Sequence, residues 1–125
     1  MNQFALLFAT VFGLTAIVFG AFGAHLLKKK LSTDQLTSFE TGVKYQMYHA
    51  IVLLILGLQS AFQSALQNYS LYFFVIGVFL FSFSIYGLVL SDAFGKKLKI
   101  LGPITPLGGL FLILGWAFLF ISFLN

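Results

Sequence analysis

Four long apolar runs, at about 4–27, 45–66, 71–90 and 104–124, dominate this chain. Each reaches the roughly 20 residues that a helix needs to cross a hydrocarbon layer about 30 Å thick. Only 8% of the residues are charged, where a soluble domain carries about 25%. Seven lysines and three acids cannot solvate a globule of this size, so the solvent for most of the surface must be lipid. The runs therefore predict an all-α membrane protein, a single four-transmembrane-helix bundle filling residues 1–125. Cysteine is absent, which excludes disulfides, thiolate metal sites and cysteine nucleophiles and leaves the redox compartment unread.

The lysines set an expected orientation. Lys28, Lys29, Lys30 and Lys44 lie between the first two runs, and Lys96, Lys97 and Lys99 between the last two. The middle connection and both tails carry no basic side chain. By the positive-inside rule the two lysine-bearing loops face the cytoplasm and both termini are non-cytoplasmic. The net charge of +4 is then a topology signal rather than a phosphate-binding face, and no nucleic-acid partner is expected. Ala21-Phe22-Gly23-Ala24 resembles a signal-peptidase site. A secretory signal, however, has a cationic start and a shorter apolar stretch. The first run is expected to be retained as a span.

Local signals refine the outline. Ser32-Thr33-Asp34-Gln35 fits a capping box, with Ser32 as N-cap and Gln35 reaching back. A helix from there to Leu66 would be about 50 Å long, more than a bilayer needs. Its first part, to about Phe39, is therefore expected at the membrane surface, showing Leu31, Leu36 and Phe39 to lipid and turning inward near Gly42, where a kink is plausible. Ala16, Gly20 and Ala24 form a small-xxx-small ladder with Gly13 and Gly23 nearby, and Ser84, Gly87 and Ser91, or Gly108 and Gly115, could do the same on later spans. Such ladders serve packing within one bundle or a homo-oligomer seam.

Polar residues gather at the lysine end: His25 closing the first run, then Glu40, Lys44, Tyr45, Gln46, Tyr48 and His49 entering the second, with Asp92 closing the third and Thr105 opening the fourth. Ionisable groups at membrane depth mark functional sites by default. Glu40 and Lys44, like Tyr45 and His49, are one helical turn apart. Two histidines and an acid could bind a metal or relay a proton. The spacing lacks a His-x-x-His or His-x-x-x-His pair, which counts against a metal. The simpler reading has His25, Glu40 and His49 hydrogen-bonding across helices to set their register.

A second constellation is Gly102-Pro103-Ile104-Thr105-Pro106-Leu107-Gly108-Gly109. Thr105 as N-cap and Pro106 at the first helical position make a well-formed helix start. Its free N–H groups and partial positive charge, beside Lys96, Lys97 and Lys99, would suit an anionic lipid headgroup or a phosphate-bearing ligand, with Gly108 and Gly109 in the same turn. The alternative is an ordinary helix start beside topology lysines. Phosphate loops, Ser/His/Asp arrangements, cofactor motifs and paired carboxylates for hydrolysis are not found, which argues against an enzyme.

Three motifs carry a family resemblance: Gly20-Ala21-Phe22-Gly23-Ala24-His25; Phe39-Glu40-Thr41-Gly42-Val43-Lys44-Tyr45-Gln46-Met47-Tyr48-His49-Ala50; and Ile104-Thr105-Pro106-Leu107-Gly108-Gly109 with Gly115-Trp116. They resemble the small bacterial membrane proteins of domain-of-unknown-function family 423, related to eukaryotic transmembrane protein 256. The resemblance covers nearly the whole chain. Leu26, where the family often has Gly, and Phe83, in a stretch that tends to small residues, depart from its pattern and concern packing alone. The resemblance implies a four-helix integral membrane protein of the bacterial plasma membrane and brings no reaction, substrate or cofactor. Two functions remain open: a structural, interaction or lipid-binding protein, and a small oligomeric transporter or proton-linked carrier using the His/Glu/Tyr cluster.

Overall fold

The computed structural model describes residues 1–59 and 64–125, apart from the side chain of Ala24. Four long helices account for nearly all of them: α1 (Gln3–Leu27), α2 (Thr33–Leu58), α3 (Ala65–Ala93) and α4 (Ile104–Ser122), the last preceded by a 3₁₀ turn at Lys99–Leu101. Each is long and apolar enough to cross a bilayer. The helices run up and down, so both termini, the end of α2 and the start of α3 share one end, and the Lys28–Lys30 and Lys96–Lys99 connections share the other. We refer to the latter as the lysine end.

The helix boundaries follow from capping. Ser32 accepts from the Gln35 N–H at 3.1 Å and its own N–H donates to Gln35 Oε1 at 2.9 Å, the box that the sequence predicts. The same S-x-x-Q signature recurs at Ser64–Gln67, with bonds of 3.2 and 3.0 Å, and starts α3. Leu66, Gln67 and Asn68 thus belong to the first turns of α3 rather than to the second run and its break. The second helix ends at Leu58, where Gln59 turns extended. At the chain start, Asn2 caps α1 through Ala5 N and ties it to α2 by donating its N–H to the Gly57 carbonyl at 2.8 Å.

α1 packs along α2, and α3 along α4; the two pairs meet mainly through α2 and α3. Small residues set these distances, because lipid supplies no hydrophobic drive between helices. Ala5, Ala9 and Ala16 on α1 are buried, and a Cβ added to Gly57 would meet Leu6 and Ala5. The α3–α4 seam is tighter still: a Cβ on Gly108 would enter the Leu80–Phe81 backbone, one on Gly77 would strike Leu112, and one on Gly115 the Phe74 ring. The predicted ladder of α1 is only partly engaged. Ala16 is buried and Gly20 faces Val43, Gly13 meets nothing within 4 Å, and the Ala24 side chain lies outside the described residues.

Two apolar cores result. One, toward the termini, gathers Ala5, Ala9, Phe12, Leu53, Phe74, Val78 and Leu112; the other, at the lysine end, gathers Leu31, Phe39, Ile85, Tyr86 and Val89. The second corrects an expectation: Leu31 and Phe39 are 8% and 2% exposed, inside the protein rather than facing lipid. α2 runs through Gly42 as one helix. Gly42 is small because Tyr86 crosses it, its missing Cβ falling 2.8 Å from the Tyr86 ring. α1 and α3 each include a π-helical stretch, Val18–Gly23 and Phe79–Phe83. The two meet where Phe19 packs against Phe83 and Tyr86, at 6.3 and 5.1 Å between centroids. The outer faces of α1 and α4 expose Leu7, Val11, Leu14, Leu110, Ile113 and Phe120, a surface suited to lipid rather than water.

Candidate functional site

The polar residues read from the sequence divide into two groups with different surroundings. Gln46 is fully buried at the junction of the two cores. Its Nε2 donates to the Phe12 carbonyl at 2.9 Å and to Thr15 Oγ1 at 2.7 Å, while its Oε1 accepts from the Tyr86 hydroxyl at 2.7 Å. One side chain thus joins α1, α2 and α3. Nearby, the Ser82 hydroxyl donates to the Gly42 carbonyl at 2.7 Å, a second α2–α3 tie.

His49 is also buried. Its Nδ1 lies 2.7 Å from the Tyr45 carbonyl and its Nε2 lies 3.2 Å from the indole nitrogen of Trp116 on α4. A carbonyl only accepts and an indole N–H only donates, so Nδ1 must donate and Nε2 must accept. Both nitrogens of the neutral ring are engaged, and metal ligation or proton relay would break one of these bonds. The predicted cluster does not converge: His25, Glu40, Lys44, Tyr45 and Tyr48 are exposed, apart from buried His49 and Gln46. Tyr45 stacks edge-on against Phe81 and Tyr48.

Ser84 and Thr105 share a hydrogen bond of 2.6 Å that fastens the start of α4 to α3. This displaces the expected N-cap. α4 begins at Ile104 with Pro103 before it in helical conformation and without a side-chain cap, so Thr105 lies inside the first turn. The 3₁₀ turn at Lys99–Leu101 leads almost directly into the helix and Gly102 is already helical, which leaves no extended residue to act as a cap. Pro103 and Pro106 have no N–H, and the Leu107 N–H bonds to the Pro103 carbonyl. Few free donors remain for an anion. Gly108 serves the α3 contact, and Gly109 meets only the edge of the Phe81 ring at 3.9 Å. Gly87 gives room to Leu101.

What the lysine end does contain is a cleft of about 760 Å³ between the start of α2, the end of α3 and the segment entering α4. Asp34, Gln35, Ser38 and Thr41 come from α2, Asp92 from α3, and Lys97, Lys99 and Thr105 from the last segment. An apolar wall is made by Ile85, Leu88, Val89 and Pro106. Gln35 secures the cleft across the bundle, its Nε2 donating to Asp92 Oδ2 at 2.8 Å while its Oε1 closes the α2 capping box. Lys96 is exposed and is not part of the lining. On the neighbouring surface Lys30 sits over the Phe94 ring, 4.8 Å from its centroid, linking the two lysine-bearing connections. Sequence spacing singled out Lys97, Lys99 and Thr105. It missed that Asp34 and Asp92, far apart in the chain, line one cleft; Gln35, which bonds to Asp92, was read only as a cap.

Comparison with known proteins places this bundle. A family model described as a protein of unknown function (DUF423) matches residues 19–109. A UPF0382 membrane protein of Staphylococcus haemolyticus is 45% identical over 82% of this chain and 80% of its own length. Another, SAB0533 of Staphylococcus aureus, is 42% identical over 86% of this chain and 84% of its own. The UPF0382 inner membrane protein YgdD of Escherichia coli K12 is 36% identical over 97% of this chain and 89% of its own. No solved structure matches the chain. The matched residues 19–109 include the Gly108 contact, Gln46 with Tyr86, and every lining residue of the cleft, and the chain belongs to the DUF423 family of membrane proteins.

Proposed function

We propose that this protein is a lipid-binding structural protein of the bacterial plasma membrane, and that its lysine-end cleft holds a phospholipid headgroup. The observation that carries this reading is the composition of the cleft. Lys97 and Lys99 stand beside an apolar wall of Ile85, Leu88 and Val89, the pairing that an amphiphile needs for its phosphate and the start of its chains. In this reading the lysine end is cytoplasmic and both termini are outside, as lysine bias directs. The buried polar side chains then hold the bundle together: Gln46 and His49 are consumed by interhelical bonds.

The test is native mass spectrometry of gently purified protein with identification of the co-purified lipid. Retained phospholipid is expected to fall in the double variant Lys97→Ala/Lys99→Ala and to persist in Lys96→Ala, which changes an equally basic position outside the cleft. Equal retention in all three proteins would refute the assignment of the headgroup to this cleft.

A further inference from the structure

The cleft is not a purely cationic site. Two carboxylates, Asp34 and Asp92, line it together with the two ammonium groups of Lys97 and Lys99. Both carboxylates are exposed. Their fixed charges balance, so a headgroup with only negative charge would meet repulsion from half of the charged groups in the lining. Asp92 also lies in the last turn of α3, where the helix dipole disfavours a negative charge. The Gln35 amide holds it there by one oxygen. A carboxylate kept in an unfavourable position and facing an open cleft is suited to a cation supplied by a ligand.

We infer that the cleft selects a zwitterionic phospholipid bearing a primary ammonium group, its phosphate toward Lys97 and Lys99 and its ammonium toward Asp34 and Asp92. This rests on the lipid-headgroup reading above and adds to it the class of lipid. The primary ammonium matters because its N–H donors can reach carboxylate oxygens. A trimethylated headgroup keeps the charge and lacks the donors. The acyl chains start along the apolar wall of Ile85, Leu88 and Val89.

The experiment compares binding of phosphatidylethanolamine, phosphatidylcholine and phosphatidylglycerol of matched chains to delipidated protein in detergent, with soluble phosphoethanolamine as a further probe. The wild type is expected to prefer phosphatidylethanolamine over each of the other lipids by about five-fold, the factor expected for one solvent-accessible charge contact. The variant Asp34→Asn/Asp92→Asn keeps an oxygen for Gln35 to donate to, so the bundle stays tied. It is expected to lose the preference for phosphatidylethanolamine and to bind phosphatidylglycerol more tightly than the wild type does. Phosphoethanolamine at the same concentration is expected not to displace the lipid, because it lacks the chains that the apolar wall receives.

Three results would overturn the inference. Phosphatidylglycerol bound best by the wild type, with the aspartate variant unchanged, refutes the zwitterion and leaves the lipid-headgroup reading intact. Phosphoethanolamine binding as tightly as the lipid refutes a lipid occupant. No lipid retained above the level of Lys97→Ala/Lys99→Ala refutes both readings together.

Discussion

The close approach of α4 to α3 at Gly108 makes a sharp prediction. A Cβ on Gly108 would stand 2.5 Å from the carbonyl carbon of Leu80 and 2.7 Å from the Cα of Phe81. These are backbone atoms within a long helix, so no side chain can swing aside. Restoring ordinary contact requires α4 to retreat from α3 by roughly 1 Å. Such overpacking costs about 1–3 kcal/mol. The retreat also stretches the 2.6 Å Ser84–Thr105 bond beyond hydrogen-bonding range, a further loss of about 0.6 kcal/mol for an interhelical bond in a membrane. Gly108→Ala should therefore destabilise the bundle by about 2–3 kcal/mol. Gly13→Ala is the matched control: nothing lies within 4 Å of its added Cβ, and alanine improves helix propensity by up to ~1 kcal/mol. Unfolding would be followed by circular dichroism in mixed micelles titrated with sodium dodecyl sulfate. Gly108→Ala should unfold at clearly lower denaturant than the wild type, and Gly13→Ala at the same or higher. Equal midpoints for the two variants would refute the α3–α4 packing described above.

Two more outcomes can be measured, one with the same preparations and one in cells. Gln46→Leu removes the three bonds that link α1, α2 and α3 and leaves the Tyr86 hydroxyl buried without its acceptor, which should cost about 2–3 kcal/mol; adding Tyr86→Phe should recover part of that loss, and strictly additive single and double variants would show that the two side chains are not coupled. Because the chain has no cysteine, single cysteines report sidedness directly. In intact cells a membrane-impermeant maleimide should label Gln3→Cys and not Lys97→Cys, and the opposite pattern would invert the proposed orientation.

The spans, the lysine asymmetry and the Ser32 capping box were legible in the sequence because each depends on local chemistry: length against bilayer thickness, charge beside an apolar run, one side chain three residues from its partner. The Ser64–Gln67 box had the same signature, and it was obscured because hydropathy alone extended the second run to Leu66. Thr105 looked like a cap by residue type, yet it is a tie to Ser84, a role visible only when α3 lies alongside. Leu31 and Phe39 looked lipid-facing because a membrane protein has two apolar environments, and hydropathy does not distinguish lipid from protein interior.

The polar residues make the same division. Composition and the lengths of the apolar runs by themselves determined that this chain spans a membrane four times and that its charged groups gather at one end, since only helices of that length satisfy their backbone in lipid. Only the tertiary structure decided which polar groups are consumed and which remain available. Gln46 spends its amide on Phe12, Thr15 and Tyr86, and His49 its two nitrogens on Tyr45 and Trp116. Asp34, Asp92, Lys97 and Lys99 instead come together around an open cleft. The physical reason is that a hydrogen bond between helices depends on rotation and separation, which small residues such as Gly42 and Gly108 set at contacts distant in sequence.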